Sequence, residues 1–192
     1  MSKVAVVYWS GTGNTEEMAN AVAEGAKSAG CEVCLAPVAE FSAERMDEFD
    51  AVAFGCPAMG AEELEDSEFD PLFQDCRSKL SGKKIALFGS YGWGDGEWMR
   101  TWESDCDSAG VNLVCESVIC TETPDDAALE ACLRDNLVQR CVLEAFLQKF
   151  FLPNFEDLPL GFRSFHLLRL LIYQQYIPPV YYNRVDLFCQ WE

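Results

Sequence analysis

Four side chains that can donate hydrogen bonds lie close together near the start of the chain. They are Ser10, Thr12, Asn14 and Thr15, separated by the glycines Gly11 and Gly13. Glycines let a backbone turn tightly, and the start of a helix offers unpaired N–H groups and the positive end of its dipole. The stretch carries no positive charge: it lacks the Lys of a nucleoside-triphosphate loop, and Glu16 replaces the third glycine of a dinucleotide fingerprint. It therefore predicts either a site for a terminal monophosphate held by neutral donors or an ordinary glycine turn before a capped helix.

Two later glycine-rich loops each contain one large soft or aromatic side chain. The first, CPAMGAE, holds Met59, and the second, SYGWGDG, holds Trp93. A planar heterocycle could lie between a thioether on one face and an indole on the other. Taken alone, each side chain is better explained as a partly buried loop anchor, so it is the combination of three loops that favours a ring-binding site.

Short apolar runs alternate with helical stretches through the first 137 residues. The predicted strands are Val4–Trp9, Glu32–Pro37, Asp50–Gly55, Lys84–Gly89 and Val111–Cys120. Helices are predicted around Met18–Ala26, Ala43–Glu48, Asp70–Leu80 and Glu97–Ala109, and again after Pro124. Strands that are apolar on both faces and alternate with helices indicate a doubly wound α/β domain with a five-stranded parallel sheet. Such a sheet binds ligands at the carboxyl ends of its strands, where the three loops lie.

Charge is distributed unevenly along the chain. Residues 1–137 contain 9 Lys/Arg and 27 Asp/Glu, whereas residues 138–192 contain 5 of each and 12 of the 24 aromatic residues. The net charge of −18 makes nucleic acid and anionic membranes poor partners and favours proteins with basic surfaces. The change in composition predicts an α/β domain over residues 1–137 and an aromatic-rich, helical or irregular C-terminal extension over residues 138–192.

The C-terminal extension matches no pattern that predicts a function. Its longest apolar stretch is interrupted by Arg169 and is too short to span a bilayer. Three hypotheses stay open: a segment that docks to a partner or a membrane surface, a small helical cap, and a terminus that is foreign to the native protein.

Ten cysteines could indicate disulfides or a metal site. Ser2-Lys3 leads directly into an apolar strand rather than a secretory leader, so we expect reduced thiols and a cytoplasmic protein. Cys31 and Cys34 lie on one predicted strand, where residues three apart point to opposite faces. With His166 as the single histidine, we predict no metal site.

Three separated motifs together resemble the short-chain flavodoxins, small electron-transfer proteins that carry FMN. They are YWSGTGNTEEMA, the Met-Gly-x-Glu turn and ALFGSYGWGDGEWMR, and the resemblance covers residues 1–137. It implies FMN as the cofactor and a sheet of strand order 2-1-3-4-5. The fifth strand lacks the long insertion that marks the long-chain subgroup.

The resemblance also implies roles for residues of the three loops. The phosphate would be held by the segment formed by Ser10, Gly11, Thr12, Gly13, Asn14 and Thr15. The ring would lie beside Met59 and Trp93, in a pocket shaped by Ala58, Gly60, Ala61, Ser90, Tyr91, Gly92 and Gly94. Glu62 would accept hydrogen bonds from the pyrimidine edge of the ring. No residue is assigned a catalytic role.

Two residues depart from the pattern of the family. Pro57 stands where many relatives have Ser or Thr, so it offers the phosphate neither a hydroxyl nor an N–H. Ala61 stands where some relatives have Asp, which removes one negative charge near the ring. Both differences affect the expected affinity for FMN and the expected redox potentials. FMN binding itself is still expected.

The predicted function is a low-potential, one-electron carrier between redox proteins. Fully reduced FMN is an anion, which the carboxylates of Glu62 and Glu63 and an uncompensated phosphate disfavour. One alternative is an FMN-dependent NAD(P)H or quinone oxidoreductase, although the three loops offer no basic residue for a nicotinamide phosphate. The other is a non-redox assembly module. The acidic run 62–68 is either a solvated face or a docking surface for basic redox partners.

Overall fold

The computed structural model describes residues 2–134, and their central element is a parallel β-sheet. Its strands are β1 (Lys3–Tyr8), β2 (Glu32–Pro37), β3 (Ala51–Gly55), β4 (Lys84–Tyr91), β5 (Asn112–Leu113) and β6 (Val118–Thr121). The order is β2-β1-β3-β4, with β5 and β6 both paired to β4, and every pairing is parallel. The predicted order 2-1-3-4-5 is confirmed. The C-terminal extension lies outside the described residues, and its boundary stays a prediction.

Two short segments in succession occupy the fifth position of the sheet, where the sequence predicts one strand. β5 pairs with the start of β4, and β6 pairs with its end. Between them, the Val114 N–H still donates to the Ile85 carbonyl at 3.0 Å. The Ser117 hydroxyl donates to the Glu103 carboxylate, so at this point the chain is held by a helix side chain rather than by the sheet.

Helices cover both faces of the sheet. They are α1 (Asn14–Ser28), α2 (Phe69–Cys76), α3 (Glu97–Ser108) and α4 (Asp126–Arg134), with short 3₁₀ turns at Val38–Glu40, Ala43–Glu48 and Arg77–Lys79. The predicted helix at 43–48 is thus a 3₁₀ helix, and the one at 70–80 ends in a 3₁₀ turn. No helix among residues 2–134 is long and apolar enough to cross a membrane.

Successive residues of each central strand alternate between two buried layers. Val4 and Val6 of β1 pack in the layer that contains buried residues of α1 and α4, whereas Ala5 and Val7 pack in the layer of α2 and α3. Because both faces are buried, these strands are apolar at every position rather than at every second one. All strands run the same way, so their carboxyl ends and the helix starts that follow them meet at one edge of the sheet.

Candidate cofactor-binding site

The first loop at this edge joins β1 to α1 through a tight polar turn. Gly13 immediately precedes the helix with φ +93°, a conformation that favours glycine. Its N–H donates to Ser10 Oγ at 3.0 Å, and its carbonyl accepts the Glu17 N–H at 2.9 Å. Thr12 is exposed and Asn14 is half-buried. The turn therefore places uncharged polar side chains beside the amino end of a helix.

Thr15 differs from the other polar residues of this loop because it is buried. Its side chain is 1% exposed, and its Oγ1 lies 3.3 Å from Oγ of Ser90, which is 4% exposed. Ser90 is the next-to-last residue of β4. This contact joins the first loop to the strand that leads into the third.

The second loop ends in a narrow turn that presents Met59. Met59 and Glu63 exchange two backbone hydrogen bonds of 2.8 and 2.9 Å. Within the turn, Gly60 and Glu62 have φ of +50° and +58°. Open space surrounds the position where Gly60 would carry a Cβ. The turn holds a 39% exposed Met59 side chain at the sheet edge.

Glu62 connects the second loop to the third. Its Oε1 accepts hydrogen bonds from the N–H groups of Gly96 and Glu97, at 3.0 and 3.1 Å, at the start of α3. A Cβ on Gly94 would lie 2.3 Å from the Glu62 carboxyl carbon, so the close approach requires glycine there. The sequence does not predict this helix-capping role. A carboxylate has about four acceptor sites, so the cap is compatible with further hydrogen bonds from a ligand.

The third loop carries the most exposed large apolar side chain of the described residues, Trp93, at 63%. The Tyr91 ring packs on Trp98, with 5.2 Å between ring centroids. The Ala58 N–H donates to the Ser90 carbonyl at 3.0 Å and ties this loop to the second one. Met59 and Trp93 thus project apolar surface from two loops that hydrogen bonds hold together.

A fourth loop, which the sequence motifs do not single out, follows β6. The Glu122 N–H donates to the Tyr91 carbonyl at 2.7 Å, and the Thr123 hydroxyl donates to Asn14 Oδ1 at 3.5 Å. The loop therefore touches both the first and the third loops. Its signal was the turn-forming run Thr121–Asp125 at the carboxyl end of the fifth strand.

Glu65, in the middle of the acidic run, is 4% exposed. Its carboxylate accepts hydrogen bonds from the N–H groups of Ser67, Glu68 and Phe69 at 2.8–2.9 Å, and from the Ser67 hydroxyl. Burial acts to raise the pKa of the Glu65 carboxyl, but these hydrogen bonds outweigh it, and the pKa lies below its usual value. Glu68 is exposed and accepts a hydrogen bond from the Trp9 indole at 3.1 Å. Glu65 is thus a cap for α2 and not part of a solvated acidic face.

Positive charges are arranged asymmetrically around the sheet. At the site edge, acidic residues precede or begin the helices: Glu16, Glu17, Glu62, Glu63, Asp66, Glu68, Asp95, Glu97, Asp125 and Asp126. The lysines of the described residues lie at strand starts or helix ends, at the opposite edge: Lys3, Lys27, Lys79, Lys83 and Lys84. Arg100 in the first turn of α3 is the exception, and its guanidinium pairs with the Asp95 carboxylate at 2.6 Å. That hydrogen bond raises the pKa of Arg100.

The cysteines of residues 2–134 form no disulfide. Cys56, at the end of β3, is fully buried, and burial raises its pKa to about 12. A thiol with so high a pKa is a poor nucleophile at neutral pH.

Together the loops offer neutral donors at a helix start and exposed apolar side chains on two adjoining loops, which suits a monophosphate joined to a flat ring. Residues 6–135 match the flavodoxin family model. The chain belongs to the flavodoxin family. Accordingly, it is an FMN-binding electron carrier, and it works with redox partners. The expected resemblance, cofactor and carrier function are confirmed.

Individual flavodoxins are similar to this one over the same part of the chain. The flavodoxin of Megasphaera elsdenii is 46% identical over 124 residues, which cover 65% of this chain and 90% of the relative. The flavodoxin of Clostridium beijerinckii is 46% identical over 122 residues, which cover 64% of this chain and 88% of the relative. The solution structure of two-electron reduced Megasphaera elsdenii flavodoxin has a TM-score of 0.62 and 44% identity, over 68% of this chain and 98% of that one.

Proposed function

We propose that this flavodoxin is a low-potential, one-electron shuttle whose FMN site is formed by the loops at the carboxyl edge of its sheet. FMN, when bound, supplies the redox chemistry by accepting electrons one at a time. The observation that carries the proposal is the charge arrangement at this edge. Neutral donors lie in the first loop, carboxylates lie in and after the second loop, and the cation Arg100 is paired with Asp95.

The proposed binding residues divide into two groups. The phosphate group is bound by the side chains and backbone N–H groups of residues 10–15, which offer hydrogen bonds but no neutralising charge. The ring lies beside Met59 and Trp93, with Glu62 accepting from its pyrimidine edge and Ala58, Gly60, Ala61, Tyr91, Gly92 and Gly94 lining the pocket. Ser90, which the resemblance also places in the pocket, is 4% exposed and faces Thr15, so we assign it to the support of the first loop instead. Because Gly60 has no Cβ, its peptide can reorient toward the ring at low steric cost.

Negative charge at this edge lowers the potential at which the anionic, fully reduced cofactor forms. The fully reduced cofactor would carry a negative charge near Glu62 and Glu63, and no unpaired cation of the described residues lies at the start of the neighbouring helices to offset it. About 59 mV of a one-electron potential corresponds to a tenfold change in equilibrium. Several unfavourable charge interactions therefore separate the second electron from the first.

The same charges favour redox partners with basic surfaces. Glu63, Asp66 and Glu68 are exposed beside the proposed ring site. A basic partner that docks here would bring its own redox centre near the exposed indole of Trp93. The cytoplasm, with its reduced thiols, is the compartment that the free cysteines favour.

A spectroscopic redox titration of the full-length protein tests this proposal. We expect the purified chain to bind FMN and to accept two electrons in two well-separated one-electron steps. A single two-electron step would contradict the shuttle. Turnover with NAD(P)H alone would favour the oxidoreductase, and failure to bind FMN would favour the assembly module.

A further inference from the structure

Three polar residues are fully buried in the part of the chain that the structure describes: Thr15, Glu65 and Ser90. The burial of Glu65 is explained by its cap on α2. Thr15 and Ser90 face each other, with their hydroxyl oxygens 3.3 Å apart, and either hydroxyl can be the donor. A buried pair of hydroxyls across 75 positions of sequence costs desolvation, so its place in the fold requires an explanation.

The pair links the phosphate loop to a rigid strand. Thr15 is the second residue of α1, directly after the polar turn that ends at Gly13. Ser90 is fixed on both sides of β4, because β6 pairs with it at Cys120 and its carbonyl accepts the Ala58 N–H at 3.0 Å. Ser90 therefore offers Thr15 a hydroxyl whose position does not depend on the first loop.

The chemistry of a hydroxyl group decides what this contact can do. Each hydroxyl has one proton to donate and two lone pairs that accept. If Thr15 donates its proton to Ser90, it has no proton left for an anion. If Ser90 donates to Thr15, the Thr15 proton is free to be donated elsewhere.

We propose that Ser90 is a positioning residue that directs the Thr15 hydroxyl proton toward the FMN phosphate. This inference rests on the proposed FMN site. Ser90 donates to Thr15 Oγ1, and Thr15 donates to a phosphate oxygen. A cradle without cations has only hydrogen bonds with which to hold a dianion, so each correctly oriented donor contributes substantially to affinity.

Comparing FMN with riboflavin separates this role from a general packing role, because riboflavin lacks the phosphate. The experiment measures dissociation constants of both flavins for the full-length apoprotein. We expect Ser90→Ala to raise the dissociation constant of FMN about tenfold. The dissociation constant of riboflavin should change less than about twofold. When Thr15→Val is already present, adding Ser90→Ala should leave the dissociation constant of FMN almost unchanged, since the acceptor of the Ser90 proton is gone.

Two further variants keep the test decisive. Ser90→Cys fills the place of the hydroxyl with a somewhat larger group that is only a weak donor. It should therefore weaken FMN binding as Ser90→Ala does, even if the space left by alanine disturbs the fold. Ser117→Ala removes another partly buried hydroxyl, which bonds Glu103, and should change neither constant.

Three outcomes would overturn the inference while leaving the FMN site intact. Ser90→Ala could weaken the binding of FMN and of riboflavin equally, or it could change neither dissociation constant. It could also weaken FMN binding just as much when Thr15→Val is present. A wild-type chain that binds no FMN would instead refute the proposed function itself, and the inference with it.

Discussion

Glu62 performs two tasks at a single position in the second loop. Its backbone, at φ +58°, closes the turn between Met59 and Glu63, and its carboxylate caps α3 by accepting from Gly96 and Glu97. The cap holds the carboxylate against Gly94. A negative charge is therefore fixed in place beside the proposed ring site, which distinguishes it from the freely exposed charge of Glu63.

Replacing Glu62 with Gln tests this fixed charge. The amide oxygen can still cap α3, so we expect stability to fall by less than about 1 kcal/mol. Loss of the charge should raise the potential of the second electron by roughly 40 mV, for an interaction on the order of 1 kcal/mol. Redox titration and urea unfolding measure the two effects. Glu63→Gln removes the same charge without a cap, and an equal shift in that variant would show that the fixed position does not matter.

At the scale of elements, the sequence predicts the strands and loops that leave a pattern in composition. It does not predict helix caps, which depend on a single side chain. Apolar runs and glycine-rich loops identify the strands and the first three loops, because burial on both faces and tight turns leave patterns in composition. The caps on α2 and α3 leave no such pattern, since Glu62 and Glu65 look like any other acidic residue of the run 62–68. The sequence predicts a single fifth strand because apolar residues continue through it, whereas in the structure Ser117 bonds to a helix side chain between β5 and β6.

The cap on α2 predicts a pH-dependent contribution to stability. Glu65 has a folded-state pKa below its ordinary value of 4.5, so its stabilising effect is complete above that value and is lost as the pH falls through the lower, folded-state pKa. Glu65→Gln should destabilise the protein by about 1–3 kcal/mol at pH 7, because an amide has one acceptor oxygen instead of two. The difference in the free energy of unfolding between wild type and Glu65→Gln should decrease as the pH falls. Urea unfolding at pH 7 and below pH 4.5 measures this difference, and Asp66→Asn, at an exposed residue, is the control. A difference that does not depend on pH would contradict the prediction.

Across residues 2–134 as a whole, the fold places acidic residues at the edge of the sheet where the helices begin. In a doubly wound sheet every helix begins at the carboxyl edge, and acidic residues are favoured at helix starts and basic ones at helix ends. This chain follows the first preference with Glu16, Glu97 and Asp126 at the site edge. It follows the second at Lys27 of α1, whereas α3 ends with Asp105 and Asp107. An oriented, negatively charged face steers a basic partner toward the cofactor edge before contact.

Salt should therefore weaken electron transfer to a basic acceptor protein. We expect the second-order rate constant to fall about tenfold between low and physiological ionic strength, as the Debye length shortens to about 8 Å. Asp66→Asn should lower the low-salt rate more than Asp107→Asn, because Asp107 lies at the far end of α3 and both variants remove one exposed charge. Stopped-flow kinetics measures these rates. Equal effects of the two variants would rule out docking at the cofactor edge.

A chain shortened after Leu137 separates the carrier from the C-terminal extension. Every side chain assigned here to the cofactor lies between residues 10 and 94, the supporting loops end by residue 125, and the family match ends at residue 135. The removed residues 138–192 carry no net charge, so the field at the site edge is unchanged to first order. We expect FMN affinity within about twofold of the full chain and potentials within about 10 mV, well below one tenfold step in equilibrium. A larger change in FMN affinity or in the potentials would assign the extension a role at the cofactor. A loss confined to electron transfer with a partner would instead assign it a role in docking.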